Sequence, residues 1–450
     1  MSRRDREHEV SRRALIRWSL AAGAALGVSR SRIGEVLERA AGVRVAEAAM
    51  ATTTKRSLHV RAGNGGLSWF TQMWPHPDIA ANASSSNTLA WFAPGQQQMI
   101  AADKTLVGGP ATPFATLPAN RQVTALLAGH AECHTHNPVS VAKALGTGSL
   151  FAIASALQAD TPSVVPVISV GDVDVGTAVG APTASNVPTG ADLVGLFDSA
   201  ASRMGGLLAN SDYADIYRAH YATLAGLNRA ATRSTTHAAY TTSRSAAHFV
   251  GTNLSSQLAV SPSDEAAYGI DANMRAEVAE IGRTLIVTAK AFAMGLTSSV
   301  VLPGLRDDPH GAFGDIPGTT STLAGLKSVF DGFMADLVAR QLADDVVITV
   351  EGDTPKTPID FRNWGDGTPG NTNLVYVWGG GALVTGWFGG ITKDGVVTGF
   401  DPGTGMPAPY DGDAQARAAV AAVAYALTKD MRRVQDFSRD NIMGLIRQGA

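Results

Sequence analysis

The chain has 450 residues, 45% of them hydrophobic and 17% charged, with one cysteine and a formal net charge of −3. That length and apolar share support a sizeable core and exclude global disorder. The charge offers no electrostatic case for a nucleic-acid partner, and a single cysteine excludes an intramolecular disulfide and any CxxC site.

The first fifty residues stand apart. They hold ten arginines, no lysine and six acids, net +4, which leaves −7 for the rest of the chain. Arg12-Arg13 precedes a run of small and apolar residues from Trp18 to Val28. This pattern resembles a twin-arginine (Tat) export signal, an address read by a receptor and not an anchor. Residues 1–49 are read as signal and pre-region, with Ala46-Glu47-Ala48 as the candidate processing site. The Tat translocase is the expected partner, and the periplasm or the exterior the destination. The run is shorter than the roughly twenty residues a membrane span needs.

Residues 50–450 read as a single α/β domain: a mostly parallel central sheet, helices on both faces and a helical insertion at 190–260. Apolar β-type runs predict strands at 57–61, 123–128, 163–170, 298–302, 346–350 and 374–378. Pro166 predicts that the third is an edge or broken strand. A helix is expected from about Val139. Apolar residues at three- and four-residue spacing predict helices at 192–204, 212–230, 273–294 and 320–342, and an alanine-rich helix at 413–430 opens a helical C-terminal region, 413–450. Asp271 is the expected cap and Gly295 the expected stop of the 273–294 helix. Residues 178–191 and 352–373 read as long loops, a length often tied to function.

Ligands of open parallel sheets bind at the carboxyl ends of the strands. After the first strand comes Gly63-Asn64-Gly65-Gly66-Leu67-Ser68, whose N–H groups could cradle an anion. After the second comes His130-Ala131-Glu132-Cys133-His134-Thr135-His136-Asn137-Pro138. After the fourth comes Arg306-Asp307-Asp308-Pro309-His310, and after the fifth Glu351-Gly352-Asp353, then Trp364-Gly365-Asp366-Gly367. Histidines with carboxylates suit zinc and other divalent ions. Cys133 reads as a small buried residue. No phosphate-binding P-loop, His-Glu-x-x-His helix or Gly-x-Ser-x-Gly elbow occurs. Cys133 lacks the proline and arginine that follow a sulfatase maturation cysteine.

The order of these loops resembles a mostly Tat-exported bacterial family called domain of unknown function 1501, related to the alkaline phosphatase and sulfatase superfamily. Gly65-Gly66-Leu67-Ser68 is similar to its first Gly-Gly-x-Asp loop, and His136-Asn137-Pro138-Val139 to its His-Ser-Pro-Ala loop. Asp307-Asp308-Pro309-His310 looks like its Asp-Thr-His loop. Residues 347–355 resemble its Ser-Glu-Phe-Gly-Arg strand end, and Trp364–Gly367 with Val377–Gly381 its last two motifs. The first-loop aspartate and the later histidine are missing.

The resemblance implies an alkaline-phosphatase-like fold and a hydrolase of phosphate or sulfate esters using a divalent metal, zinc, manganese or calcium. Asp308, His310, Asp353 and Asp366 would be ligands. His134, His136 and Glu351 would be catalytic. Gly65, Gly66 and Ser68 would bind the anionic substrate. A catalytically inactive homologue that binds or assembles in the cell envelope is the alternative.

Overall fold

A computed structural model describes residues 55–81, 96–197, 219, 254–356 and 368–449, less 147, 160, 162, 312, 313 and 393. The chain divides into two compact units. One comprises Met1–Met50, Pro162–Val165 and Ala191–Ala259; a short helix, Leu254–Leu258, is among its few described parts. The other comprises Ala51–Thr161, Pro166–Gly190 and Val260–Ala450 and holds the whole central sheet. The twin arginines, the 212–230 helix and most of the 190–260 insertion lie outside the described residues.

Eight strands form the sheet: β1 (Arg56–Ala62), β2 (Thr124–His130), β3 (Val167–Val170), β4 (Ser185–Val187), β5 (Ser299–Pro303), β6 (Val346–Gly352), β7 (Thr372–Trp378) and β8 (Gly386–Phe388). Their order is β8-β2-β7-β6-β1-β5-β3-β4. Only β7 runs against the others; its pairings with β2 and β6 are antiparallel and the rest are parallel. The fold is therefore α/β with a mostly parallel mixed sheet.

Helices α2 (Leu150–Leu157) and α5 (Gly412–Thr428) cover one face, in a core shared with Val301, Val347 and Val375. Helices α1 (Leu67–Met73), α3 (Ala276–Ala293) and α4 (Ile316–Ala339) pack on the other, where Phe70 meets Phe330 edge to face. Among the described residues no helix is long and apolar enough to cross a membrane.

Strand β1 alternates Ser57, His59 and Arg61 with Leu58, Val60 and Ala62, the pattern of a half-exposed strand. It is central, and both faces are buried. The polar side is bonded internally, with His59 Nε2 and Glu351 Oε2 left buried without a partner. Ser57 donates to Gln158, His59 Nδ1 lies 2.7 Å from Thr349 Oγ1, and Arg61 Nε donates to Glu351 at 2.8 Å. Phe151 packs over the His59 ring and the Arg61 guanidinium. Burial pushes His59 down to about 3, so it stays neutral.

Several expectations shift. The chain after Val139 makes one turn, Lys143 N–H to Val139 O, and the helix starts only at Leu150, capped by Ser149. Pro166 precedes β3 instead of breaking it, and its carbonyl accepts from Ser298 and Ser299, so β3 pairs on both sides. The 178–191 loop contains the edge strand β4, too short to show as a run. Asp271 caps the turn at Asn273 and Met274, one step before α3, while Gly295 ends α3 with φ +69°. Helix α4 starts at Ile316, earlier than predicted, because Asp315 caps it and Pro317 fits its first turn.

Candidate functional site

The parallel strands β1, β2, β3, β5 and β6 deliver their following loops to one edge of the sheet. Close packing of backbone there explains the glycines of the first loop. A Cβ on Gly65, whose φ is +85°, would lie 2.2 Å from Asp308 Cβ, and one on Gly66 would lie 1.7 Å from Leu305 O. Four non-glycine residues of these loops also adopt left-handed backbone: Asn64, His134, Thr354 and Lys356. Such strain persists where the surroundings over-determine it, commonly at functional sites.

His134, Asp308 and His310 converge. One ligand atom from each lies within 4.8 Å of the others. His134 Nε2 is 2.5 Å from Asp308 Oδ2, and the two imidazole rings stack with centroids 5.9 Å apart. His310 Nδ1 meets Asp308 Oδ1. The Lys356 ammonium contacts Asp308 Oδ2 and lies 3.2 and 3.1 Å from the His310 nitrogens. Asp308 and Lys356 are 3% and 1% exposed. Burial disfavours the Asp308 charge, but Lys356 and His134 outweigh it and hold the carboxyl below its usual range. The rest of the Asp308 loop is anchored through Asp307: its carbonyl accepts from Trp69 Nε1 at 2.9 Å and its carboxylate from Arg275 at 2.9 Å.

Asp353 braces this cluster without joining it. Its Oδ1 accepts from Gly65 N–H at 2.7 Å and its Oδ2 from Thr135 N–H at 2.6 Å, which ties three loops together. Burial pushes its carboxyl up to about 6, against the pull of those two N–H groups. Each oxygen accepts from a backbone N–H group, and Asp353 is not among the side chains whose ligand atoms converge.

The other expected residues sit elsewhere. Glu351 is fully buried against Arg61, and burial raises its pKa despite that partner. It is a sheet-interior ion pair facing α2 and makes no hydrogen bond to the cluster. His136 pairs with Asp172, which also holds Arg306, while its Nδ1 lies 3.3 Å from Asn64 Nδ2. The His136 bond, together with Arg306, holds Asp172 down to about 2. The donors expected to cradle an anion in the first loop are engaged within the protein. Gly65 N–H serves Asp353, Gly66 N–H serves Gly63 O, and buried Ser68 donates its hydroxyl to Thr354 O. His130 faces Asp413 at 3.3 Å, away from the cluster. Cys133 is exposed, not buried, with Sγ 3.2 Å from His134 Nδ1. Asp366 lies outside the described residues. The glycines after β7 sit at the opposite edge, because β7 is antiparallel.

Lys356 and Asp172 were not anticipated as site residues. Lys356 had one signal, a basic residue just past a strand end that resembles Ser-Glu-Phe-Gly-Arg. Asp172 follows the third strand, at the same edge as the loops singled out in the sequence.

The donor set of two imidazoles and one carboxylate suits a divalent cation such as zinc or manganese and would leave positions open for other ligands.

No family model matches the chain, and no curated protein matches it. Two solved structures align with it, "Crystal structure of Ps i-CgsB" and the same protein "in complex with k-i-k-neocarrahexaose". Each is 10% identical, with 87% of this chain and 75% of that chain covered and a TM-score of 0.31.

Proposed function

We propose that the protein is an exported, metal-dependent hydrolase of phosphate or sulfate esters. The observation that carries this reading is the convergence of His134, Asp308 and His310 at the carboxyl edge of a mostly parallel sheet. A divalent cation held by these three residues would supply Lewis acidity at an anionic ester. Asp308 bridges the two imidazoles, a bound cation would replace the bridging protons, and Lys356 holds Asp308 in place and adds positive charge to the cluster. Asp353 holds the first and second loops in register with the strand that supplies Lys356. The paired arginines at Arg12 and Arg13 support export through the Tat translocase to the periplasm or beyond.

One observation favours a second reading, a metal-free binding or assembly protein of the cell envelope. The Lys356 ammonium already gives Asp308 a cationic partner. Elemental analysis of the mature protein separates the two. Stoichiometric zinc, manganese or calcium is expected, with a lower melting temperature after chelation, reduced occupancy in His310→Ala, and hydrolysis of an aryl phosphate or sulfate. Absence of metal together with no effect of chelation would sink the hydrolase reading. Unchanged occupancy in His310→Ala would move the metal elsewhere.

A further inference from the structure

The same edge of the sheet carries a second hollow. A cavity of about 220 Å³ opens where β3, β4 and β5 end, against the first half of α3. Its floor is apolar, formed by Val170, Ile281 and Leu302, each at most 5% exposed. Three charged side chains stand on its wall. Arg306 is paired with Asp172, and Glu277 with Arg275. Glu280 is different. It is half-buried and accepts from the Gly190 N–H at 3.1 Å, and no basic side chain pairs with it among the described residues. An ammonium group could pair with the Glu280 carboxylate while its carbon skeleton lies on the apolar floor.

We propose that this cavity binds a compact group carrying a protonated amine, with the ammonium on Glu280 and the carbon skeleton on Val170, Ile281 and Leu302. The volume is below the roughly 300 Å³ at which drug-sized sites begin, so the occupant is small. Arg306, on the cavity wall, lies two residues before Asp308 in the loop that builds the histidine cluster. Binding of the amine stands apart from the hydrolase reading, which the metal analysis decides separately.

The test uses chelator-treated mature protein at neutral pH, so that binding is read without metal. The probes are 3-amino-1-propanol and 1,3-propanediol, which share a skeleton and differ in the ammonium. Ligand-observed NMR titration should show saturable binding of the amino alcohol, at least about tenfold tighter than the diol, and a loss of at least about tenfold in Glu280→Gln. No saturable binding of the amino alcohol, or equal affinity for the two probes, overturns the proposal. So does an unchanged affinity in Glu280→Gln. The two-probe comparison uses the native chain, so it stands even if that variant does not fold.

Discussion

Asp308 shows how much one buried carboxylate organises. It meets His134 and Lys356 through Oδ2 and His310 through Oδ1, and its Cβ packs against the bare Cα of Gly65. Gly65→Ala would drive a methyl group into Asp308 and force a side chain onto left-handed backbone. We expect a loss of about 1–3 kcal/mol of stability in denaturant unfolding, a displaced Asp308 and, on the proposed metal-dependent reading, weaker retention of the cation. Wild-type stability in that variant would mean that the contact is loose. Asp353 makes a pH prediction with a definite sign. Its folded pKa of about 6 lies above the ordinary carboxylate value, so the native state holds a proton that the unfolded chain has released. Its contribution to stability is complete below about 4 and is lost as pH rises through about 6. Carboxyl ¹³C titration of the metal-free protein should place its midpoint near 6. A midpoint in the ordinary range below about 4.5 would show the side chain to be solvated.

At the scale of elements, the central strand decides most. β1 sits between β5 and β6, and its polar side chains lie in the interior facing α2. The Arg61–Glu351 pair is the most demanding of these contacts, at 2% and 0% exposure. Removing one partner leaves the other charge buried and unmatched. Arg61→Met should therefore cost about 3–5 kcal/mol, and the double variant Arg61→Met with Glu351→Met should be more stable than the single one. Chemical denaturation of the two variants checks this. A double variant no better than the single one would assign the loss to the carbonyls of Asp174 and Pro138, which Arg61 also serves. Glu351 followed a buried strand and so looked like a loop carboxylate in the sequence. Its alternation partner across the sheet, Arg61, was the clue to an interior role.

At the scale of the whole molecule, a net-basic stretch of fifty residues, which we propose is an export leader, precedes an acidic body. If the leader is a Tat signal, replacing both Arg12 and Arg13 with Lys should leave the full-length precursor in the cytoplasm, seen by fractionation and immunoblotting. Normal export of that variant would exclude the pathway. The sequence by itself determined the α/β class, because apolar runs and helical spacing are local signals that burial in a sheet with covered faces demands. It also pointed to the His134 and Asp308–His310 loops, since chemistry in parallel sheets collects at strand ends. Short edge strands β4 and β8 did not show, because three residues make no periodic pattern. Tertiary structure alone decided which candidates meet. His134 and His136 are two residues apart, yet one turns to Asp308 and the other to Asp172, because the left-handed backbone at His134 sends them apart. Glu351 and Asp353 are likewise two apart, and only Asp353 reaches the loops, because Glu351 is still on the strand and points into the core toward Arg61. The strand ends could be read locally; the direction of each side chain depended on partners 36 to 290 residues away in the chain.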